Sequence, residues 1–201
     1  MIRIHNFARG ARGLRAIWQC EEMGLPYQVE TVSFPPSDAY RALNPLGTVP
    51  FLEDEGGVAM GESVAIMLYL AQKYGPTPLL PGKDDPSFAR VLQMTVFGEA
   101  TIGAGINLLL GAHFVAPEAD KRNWSVLSQE MRIAVALRYV ADMIGTNPFL
   151  AGESLTLADI SVSSALGIWR GALGHVLSDQ LSAYQKRIAA RPAYQRAKKL
   201  A

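Results

Sequence analysis

The chain has 201 residues, of which 49% are hydrophobic and 18% are charged, so it can form packed cores and shows no compositional sign of disorder. Its formal net charge of +1 gives no electrostatic basis for binding nucleic acid or an anionic membrane. The length fits two modest domains, and Met1 to His5 do not begin a secretory signal, so we expect a cytoplasmic protein that binds a small molecule.

The first half of the chain alternates strand-like and helix-like segments. Period-two alternation and β-branched residues mark the strands, and apolar residues at helical spacing mark the helices. The predicted elements are a strand at 2–5, a helix at 12–23, a strand at 27–32, a short helix at 35–43, a hairpin of strands at 49–52 and 58–60, and a helix at 62–74. This order is βαβαββα.

Prolines and a glycine crowd the segment that follows this first half, which is typical of an ordered linker. We place the first domain at 1–76, the linker at 77–86 and the second domain at 87–201. Beyond the linker the pattern predicts only helices, so the second domain is expected to be all-helical. The uncharged run from Ala100 to Pro117 is interrupted by glycine and polar residues, which favours a buried helix over a membrane span.

Cys20 is the only cysteine, which excludes an internal disulfide, a dithiol redox centre and a cysteine-rich zinc site. It lies about two turns into the first predicted helix, where a buried structural thiol is favoured over a nucleophile. Histidine, aspartate and glutamate are not grouped at metal-ligand spacing, so we expect no metal.

Val49-Pro50 begins a predicted strand, where proline cannot donate a ladder hydrogen bond. A cis bond would let Val49 present its N–H and C=O outward, so that an extended peptide ligand could pair with them. An ordinary trans proline at the start of a strand is the alternative that the residues alone leave open.

Glu62-Ser63 opens the helix that follows the hairpin. The first N–H groups of a helix are unpaired and carry partial positive charge, so they could hold a ligand carboxylate together with the Ser63 hydroxyl. Glu62 could then bind a ligand ammonium group. Alternatively, both residues only cap the helix.

Thr156-Leu157-Ala158-Asp159 is a hydroxyl residue followed three positions later by an acid. In such a capping box each side chain satisfies a backbone N–H of the other, which nucleates a helix. We interpret this segment as structural.

The order and spacing of these features resemble the cytosolic glutathione transferase superfamily over essentially the whole chain. The matching stretches are Asn44-Pro45-Leu46-Gly47-Thr48-Val49-Pro50-Phe51-Leu52, Gly61-Glu62-Ser63-Val64-Ala65-Ile66, Phe149-Leu150-Ala151-Gly152 and the Thr156 box. The resemblance implies a thioredoxin-like first domain, a cis Val49-Pro50 bond, and a γ-glutamyl group held by Glu62 and Ser63. It also implies a helical second domain that completes the pocket, and a homodimer.

The chain departs from this family where the catalytic residue should be. Family members place a Tyr, Ser or Cys just after the first strand to stabilise the glutathione thiolate. Here the expected Tyr falls at Asn6, and the expected Ser or Cys falls among Gly10, Arg12 and Gly13.

Two explanations remain open for this departure. Helix-terminal N–H groups around Arg12 and Gly13, with the charge of Arg9 or Arg12 and the Asn6 amide, could lower the thiol pKa without a hydroxyl. Alternatively, the protein binds glutathione or a related ligand as a carrier or interaction module and catalyses poorly.

The resemblance also suggests where a second substrate would bind. Phe7 and Ala8 follow the first strand, and His113 and Trp169 fall in helices that face the cleft in the resembling family. Trp169 matches a tryptophan that some bacterial members have there. A satisfied interfacial histidine and a core tryptophan are the alternatives.

The sequence therefore predicts a bacterial-type glutathione transferase-like homodimer acting in detoxification, with glutathione as co-substrate and a small apolar electrophile as second substrate. Two alternatives are retained. One is glutathione-dependent reduction of disulfides or peroxides, and the other is a non-catalytic glutathione- or ligand-binding regulatory module.

Overall fold

The structure is a computed structural model that describes residues 1–8 and 12–201. These residues fall into two compact units, one formed by 1–80 and 189–201 and the other by 81–188. The sequence prediction assigned all of 87–201 to the second domain, whereas the structure groups 189–201 with the first unit. The physical reason is that helix α9 (Pro192–Leu200) packs along helix α1 (Gly13–Met23).

The first unit is built on a four-stranded sheet of β1 (Ile2–Phe7), β2 (Tyr27–Val32), β3 (Phe51–Asp54) and β4 (Val58–Met60). The strand order in the sheet is β2-β1-β3-β4. β1 pairs with β2 in parallel and with β3 antiparallel, and β3 and β4 form a hairpin. The fold confirms the predicted thioredoxin-like order βαβαββα. Besides α1, α9 and the strands, this unit contains α2 (Asp38–Leu43) and α3 (Ser63–Lys73).

Strand β1 lies between β2 and β3 in this sheet, and its side chains pack on both faces of the sheet. Ile2 and Ile4 point to one face and are fully buried. Phe7 points to the other face and packs on a cluster of Val32, Tyr40 and Phe51. Because side chains alternate along a strand, Asn6 shares the face of Ile2 and Ile4.

Helix α9 is fixed to α1 by a charge pair and a ring contact. Two nitrogens of Arg191 each donate to a different carboxylate oxygen of Glu22, both at 2.7 Å. The rings of Trp18 and Tyr194 meet edge to face, with their centroids 5.0 Å apart. A bidentate arginine–carboxylate pair is among the stronger side-chain contacts, so α9 holds α1 in place.

Asp54, at the end of β3, receives a dense set of hydrogen bonds from the C-terminal end of α3. Its buried carboxylate accepts from the Tyr69 hydroxyl at 2.9 Å, the Lys73 ammonium at 3.0 Å and the Tyr74 hydroxyl at 2.7 Å. Burial alone would raise the pKa of Asp54, but these bonds and one from the Glu55 backbone lower it to about 2. The network ties α3 to the hairpin.

Replacing Asp54 by asparagine should therefore remove a pH-dependent part of the stability. The pKa of Asp54 is about 2 in the folded protein and about 3.9 in an unfolded chain. The ionised group thus stabilises the fold above about pH 4, and this contribution is lost as the pH falls towards about 2. We expect Asp54→Asn to lose about 1–2 kcal/mol at neutral pH and less in acid.

Urea unfolding of both proteins at neutral pH and near pH 3 measures this difference. Asp84→Asn is the matched control, because the Asp84 side chain is exposed and pairs with the exposed Lys83. A stability loss in Asp54→Asn that stays the same at both pH values would contradict the account.

The second unit is helical, as predicted. Its helices are α4 (Phe88–Phe97), α5 (Ala104–Phe114), α6 (Trp124–Ile144), α7 (Leu157–Gly171) and α8 (Asp179–Ala189). The short π-helical turn Gly98–Gly103 joins α4 and α5 into one continuous helix. A 3₁₀ turn at Glu118–Asp120 precedes α6.

The capping box at the start of α7 is confirmed. Thr156 is the N-cap, and the Asp159 carboxylate accepts the Thr156 backbone N–H at 2.9 Å. The same carboxylate also accepts from the Leu150 N–H at 2.9 Å and from the Tyr184 hydroxyl at 2.9 Å. Asp159 is fully buried. It therefore joins the start of α7 both to the preceding loop and to α8.

The continuous helix Phe88–Phe114 is long and apolar enough to cross a membrane by length and composition. Within its most apolar window, 44% of the residues are buried in the protein. Its α4 part and its π-helical turn pack against α7. Such contacts are typical of a core helix in a helical domain.

Gly98 allows α4 and α7 to approach closely. A Cβ at this position would lie 2.5 Å from Ser161 Oγ and 2.7 Å from the Ser161 carbonyl carbon. The Ser161 hydroxyl donates to the Thr95 carbonyl at 2.7 Å, next to the π-helical turn. Small residues and this hydrogen bond therefore hold the two helices together.

We expect Gly98→Ala to lose about 1–3 kcal/mol of stability, because the added methyl group meets α7 backbone that cannot move away cheaply. Gly167→Ala in α7 is the matched control, because its Cβ would meet nothing within 4 Å. That control should gain about 0.5–1 kcal/mol through higher helix propensity. Thermal unfolding compares the two, and a tolerated Gly98→Ala would contradict the close approach.

Candidate functional site

Two sheet ladders bring the candidate residues of the first unit to one edge. β3 begins directly after Pro50 and pairs with β4, which ends two residues before Glu62. Phe7, at the end of β1, and Val49 both pack on the cluster of Val32, Tyr40 and Phe51. The end of β1, the start of β3 and the first turn of α3 therefore meet at the same edge of the sheet.

Val49 presents its backbone at this edge. The Val49–Pro50 bond is cis, as the resemblance implied. Within residues 1–8 and 12–201, no hydrogen bond uses the Val49 N–H or C=O. The preceding Thr48 carbonyl accepts from the Tyr40 hydroxyl at 2.7 Å and from the Asn44 amide at 2.8 Å. The segment before Val49 is thus held by side-chain hydrogen bonds, while the Val49 N–H and C=O have no partner among the described residues.

Glu62 is held in an unusual backbone conformation at the start of α3. Its φ of 63° lies in the left-handed region, which is uncommon for residues other than glycine. Its side chain is exposed and forms no capping hydrogen bond in the described part of the chain. Glu62 is thus the N-cap residue of α3 by position, but its side chain does not cap the helix. The first helical bond runs from the Ile66 N–H to the Glu62 carbonyl, so the N–H groups of residues 63–65 precede it.

Ser63 is buried and receives a hydrogen bond that sequence reasoning missed. Arg15 Nη1 donates to Ser63 Oγ at 2.8 Å, and Arg15 is only 1% exposed. Because the oxygen already accepts from Arg15, the Ser63 O–H can donate to an incoming carboxylate. One feature of the sequence could have indicated this contact: Arg15 places a positive charge within the apolar run of α1, between Leu14 and Ala16.

Asn6 and Gly13 form a close contact between β1 and the start of α1. Asn6 is 1% exposed, and neither its Oδ1 nor its Nδ2 has a hydrogen-bond partner among the described residues. A Cβ atom on residue 13 would overlap the Asn6 side chain, and a larger side chain would overlap it further. The serine or cysteine that family members place near here would not fit at Gly13 beside Asn6.

Arg12 is the N-cap of α1 and is half-buried. Its side chain makes no capping hydrogen bond within the described chain. The other candidates near the expected catalytic position, Arg9 and Gly10, lie outside the described residues. The structure thus brings Asn6, Arg12 and Gly13 together at the start of α1.

Thiol and metal chemistry by the chain itself has no support among the described residues. Cys20 is fully buried, and burial together with the nearby Glu21 charge raises the pKa of its thiol to about 12. This supports the interpretation of Cys20 as a structural thiol. In the described part of the chain, no three side chains of the types His, Cys, Asp and Glu are placed to hold a metal ion.

The candidates for a second substrate differ in exposure. In the first unit, Phe7 is half-buried and Ala8 is exposed. In the second unit, His113 is exposed near the end of α5. Trp169 is buried, and its ring stacks on His175 with the centroids 3.8 Å apart.

The chain has recognisable relatives. Residues 12–73 match the family model described as glutathione S-transferase, N-terminal domain. Glutathione S-transferase 3 of Schizosaccharomyces pombe is 28% identical over 79% of this chain and 70% of its own. A solved glutathione transferase of Methylococcus capsulatus is 28% identical, with a TM-score of 0.83 over 99% of this chain and 98% of its own.

A second solved structure is a theta class glutathione S-transferase of Xanthomonas axonopodis with glutathione bound. It is 28% identical, with a TM-score of 0.81 over 100% of this chain and 98% of its own. The family model spans β2, β3 and β4 and the helices that carry Arg15 and Ser63, and the solved structures extend the likeness over the whole chain. The chain belongs to the glutathione S-transferase superfamily.

Proposed function

We propose that the protein binds glutathione at the edge formed by Val49, Glu62 and Ser63, and activates its thiol for attack on a small apolar electrophile. The observation that carries this proposal is the Ser63 hydroxyl. It lies in the first turn of α3, is oriented by buried Arg15 and is free to donate. Relatives named as glutathione transferases, one of them with glutathione bound, support the same ligand.

Each end of glutathione would find a matching group at this edge. The γ-glutamyl carboxylate would accept from the Ser63 O–H and from the unpaired N–H groups of the first α3 turn. The ammonium beside it would pair with exposed Glu62. The cysteinyl backbone would pair with the N–H and C=O of Val49 as an added strand beside the start of β3.

The cysteinyl sulfur would then lie towards the end of β1 and the start of α1. Positive charge at Arg12 and the partial charge of the helix terminus at Gly13 would favour a thiolate, and Asn6 is a third candidate to stabilise it. The thiol proton leaves to solvent. With an aryl halide, the sulfur then bonds to the ring carbon, and the halide departs with its bonding electron pair.

The second substrate would be small and apolar. Phe7 and Ala8 would supply apolar surface next to the proposed sulfur position, and the roles of His113 and Trp169 stay predictions from the sequence. We further propose that the protein acts as a cytoplasmic homodimer in detoxification.

The alternative of a non-catalytic binding module is favoured by one observation. Asn6 and Gly13 stand where family members have a tyrosine, serine or cysteine, so the sequence from the end of β1 to the start of α1 offers no hydroxyl or thiol to the sulfur. Glutathione-dependent reduction of a disulfide or peroxide needs none either, if the helix terminus activates the sulfur.

Retention on immobilised glutathione, followed by assays with an aryl halide and with a mixed disulfide of glutathione, tests these possibilities. Retention and turnover of the aryl halide are the expected results. Retention with disulfide turnover alone would favour the reductase, and retention with neither activity would favour the module. A protein that is not retained and does not bind free glutathione would contradict the proposal.

A further inference from the structure

The Thr48 carbonyl receives hydrogen bonds from two buried side chains at the C-terminal half of α2. The Tyr40 hydroxyl donates to this oxygen at 2.7 Å, and Asn44 Nδ2 donates to the same oxygen at 2.8 Å. Tyr40 lies in α2 and Asn44 is the C-cap of that helix. A carbonyl oxygen has two lone pairs, so the protein itself supplies a donor for each of them. Two buried side chains therefore fix the direction of one backbone carbonyl.

Fixing the Thr48 carbonyl also fixes the Val49 N–H, because both belong to the same peptide group. The Thr48–Val49 bond is trans. In a planar trans peptide the C=O and the N–H point in opposite directions. The Val49 N–H therefore points away from Tyr40 and Asn44. It has no hydrogen-bond partner within residues 1–8 and 12–201, and Val49 is only half-buried.

Local contacts hold the two donors in place. The Asn44 N–H donates to the Tyr40 carbonyl at 2.8 Å, which closes the last turn of α2. The Tyr40 N–H donates to the Ser37 hydroxyl at 3.2 Å at the other end of this short helix. The Tyr40 ring packs in the cluster with Phe51, and its centroid lies 5.6 Å from that of the His5 ring. Burial raises the pKa of Tyr40, so its hydroxyl keeps the proton that it donates.

We infer that Tyr40 and Asn44 are positioning residues for glutathione, because by holding the Thr48 carbonyl they aim the Val49 N–H at the cysteinyl carbonyl of the ligand. This inference rests on the proposed glutathione site. The two side chains act through the Thr48–Val49 peptide without touching the ligand. A donor that already points at its acceptor loses little freedom on binding, which raises the affinity.

Removing the two donors should weaken glutathione binding stepwise. Tyr40→Phe keeps the ring and its packing but removes one donor, so glutathione should bind about fivefold more weakly. Combining it with Asn44→Ala leaves the Thr48 carbonyl without either donor and should weaken binding about 30-fold. With an aryl halide, the KM for glutathione should rise while kcat stays within about twofold, because the Val49 contact is the same in the ground and transition states.

Tyr184→Phe is the matched control, because it removes another buried tyrosine hydroxyl that has a partner. The Tyr184 hydroxyl donates to the Asp159 carboxylate at 2.9 Å in the second unit. This control should unfold at a lower urea concentration than wild type but bind glutathione equally well. Calorimetric titration with glutathione and urea unfolding are carried out on each full-length protein.

A folded double variant that binds glutathione within about twofold of wild type would overturn the inference and leave the proposed function standing. If the double variant does not fold, Tyr40→Phe decides by the same criterion. An equal loss of affinity in Tyr184→Phe would also overturn the inference, because the effect would then follow stability rather than the Thr48–Val49 peptide. Failure of wild type to bind glutathione would overturn both the inference and the proposed function.

Discussion

Replacing Asp159 by alanine is expected to destabilise the protein by about 3–5 kcal/mol, because several buried donors lose their common acceptor. The carboxylate accepts from the Leu150 N–H, the Thr156 N–H and the Tyr184 hydroxyl, each at 2.9 Å. Without it, these donors stay buried with no acceptor. Urea unfolding at neutral pH measures the loss.

Asparagine at position 159 should not rescue the fold, although it keeps the shape. One carboxylate oxygen accepts the Leu150 N–H and the other accepts the Thr156 N–H. Whichever way an amide is turned, its NH₂ group faces one of these backbone donors. We expect Asp159→Asn to lose about 2–4 kcal/mol.

Asp179→Asn provides the control for this pair of variants. Asp179 lies in the first turn of α8 and is exposed, so it contributes only through the helix dipole. The control should lose about 0.5 kcal/mol. If Asp159→Asn is no less stable than Asp179→Asn, the carboxylate does not join α7 to its surroundings as described.

The combined change Glu62→Gln with Ser63→Ala should weaken glutathione binding about 100-fold, or about 3 kcal/mol. It removes the proposed partner of the ligand ammonium and the hydroxyl donor to the ligand carboxylate, and hydrogen bonds to charged groups contribute about 1.5–3 kcal/mol each. Glu62 is exposed and makes no side-chain cap, but Ser63→Ala also removes an acceptor of buried Arg15, so urea unfolding accompanies the binding measurement to show that the fold is kept. Calorimetric titration with glutathione measures the change.

A matched double variant, Glu153→Gln with Ser164→Ala, makes the same chemical changes in the second unit. Glu153 is exposed, and the Ser164 hydroxyl donates within its own helix, to the Ile160 carbonyl at 2.7 Å. This control should bind glutathione like wild type. Equal affinity of the two double variants would remove Glu62 and Ser63 from the site.

The sequence was sufficient for the features that are set by neighbouring residues. Alternation along β1, the glycines between β3 and β4 and the capping box at Thr156 predicted elements that the structure contains. These signals are local because turn geometry, caps and side-chain period act over a few residues. Together with the family resemblance, they were enough to predict the fold.

Contacts between distant segments were not predictable in the same way. The bond from Arg15 to Ser63 joins residues 48 positions apart. The pairing of Arg191 with Glu22 spans 169 positions and places α9 with the first unit rather than the second. A charged residue in an apolar helix signals that a partner exists, but the sequence does not say which residue it is.

The burial of the Asn6 amide was likewise not predictable from the sequence. The sequence indicated only that asparagine stands where a tyrosine was expected. Its burial, and its contact with Gly13, depend on how α1 packs on β1. Predictions from local sequence patterns are expected to fail at such sites, where a group is kept although it lowers the stability of the fold.

A crystal structure of the protein soaked with glutathione tests the central claim most directly. The account predicts an extended tripeptide whose cysteinyl backbone pairs with Val49, whose γ-glutamyl carboxylate lies within hydrogen-bonding distance of Ser63 Oγ, and whose sulfur points towards the start of α1. Glutathione bound elsewhere, or an empty edge at Val49 and Ser63 under saturating ligand, would contradict it.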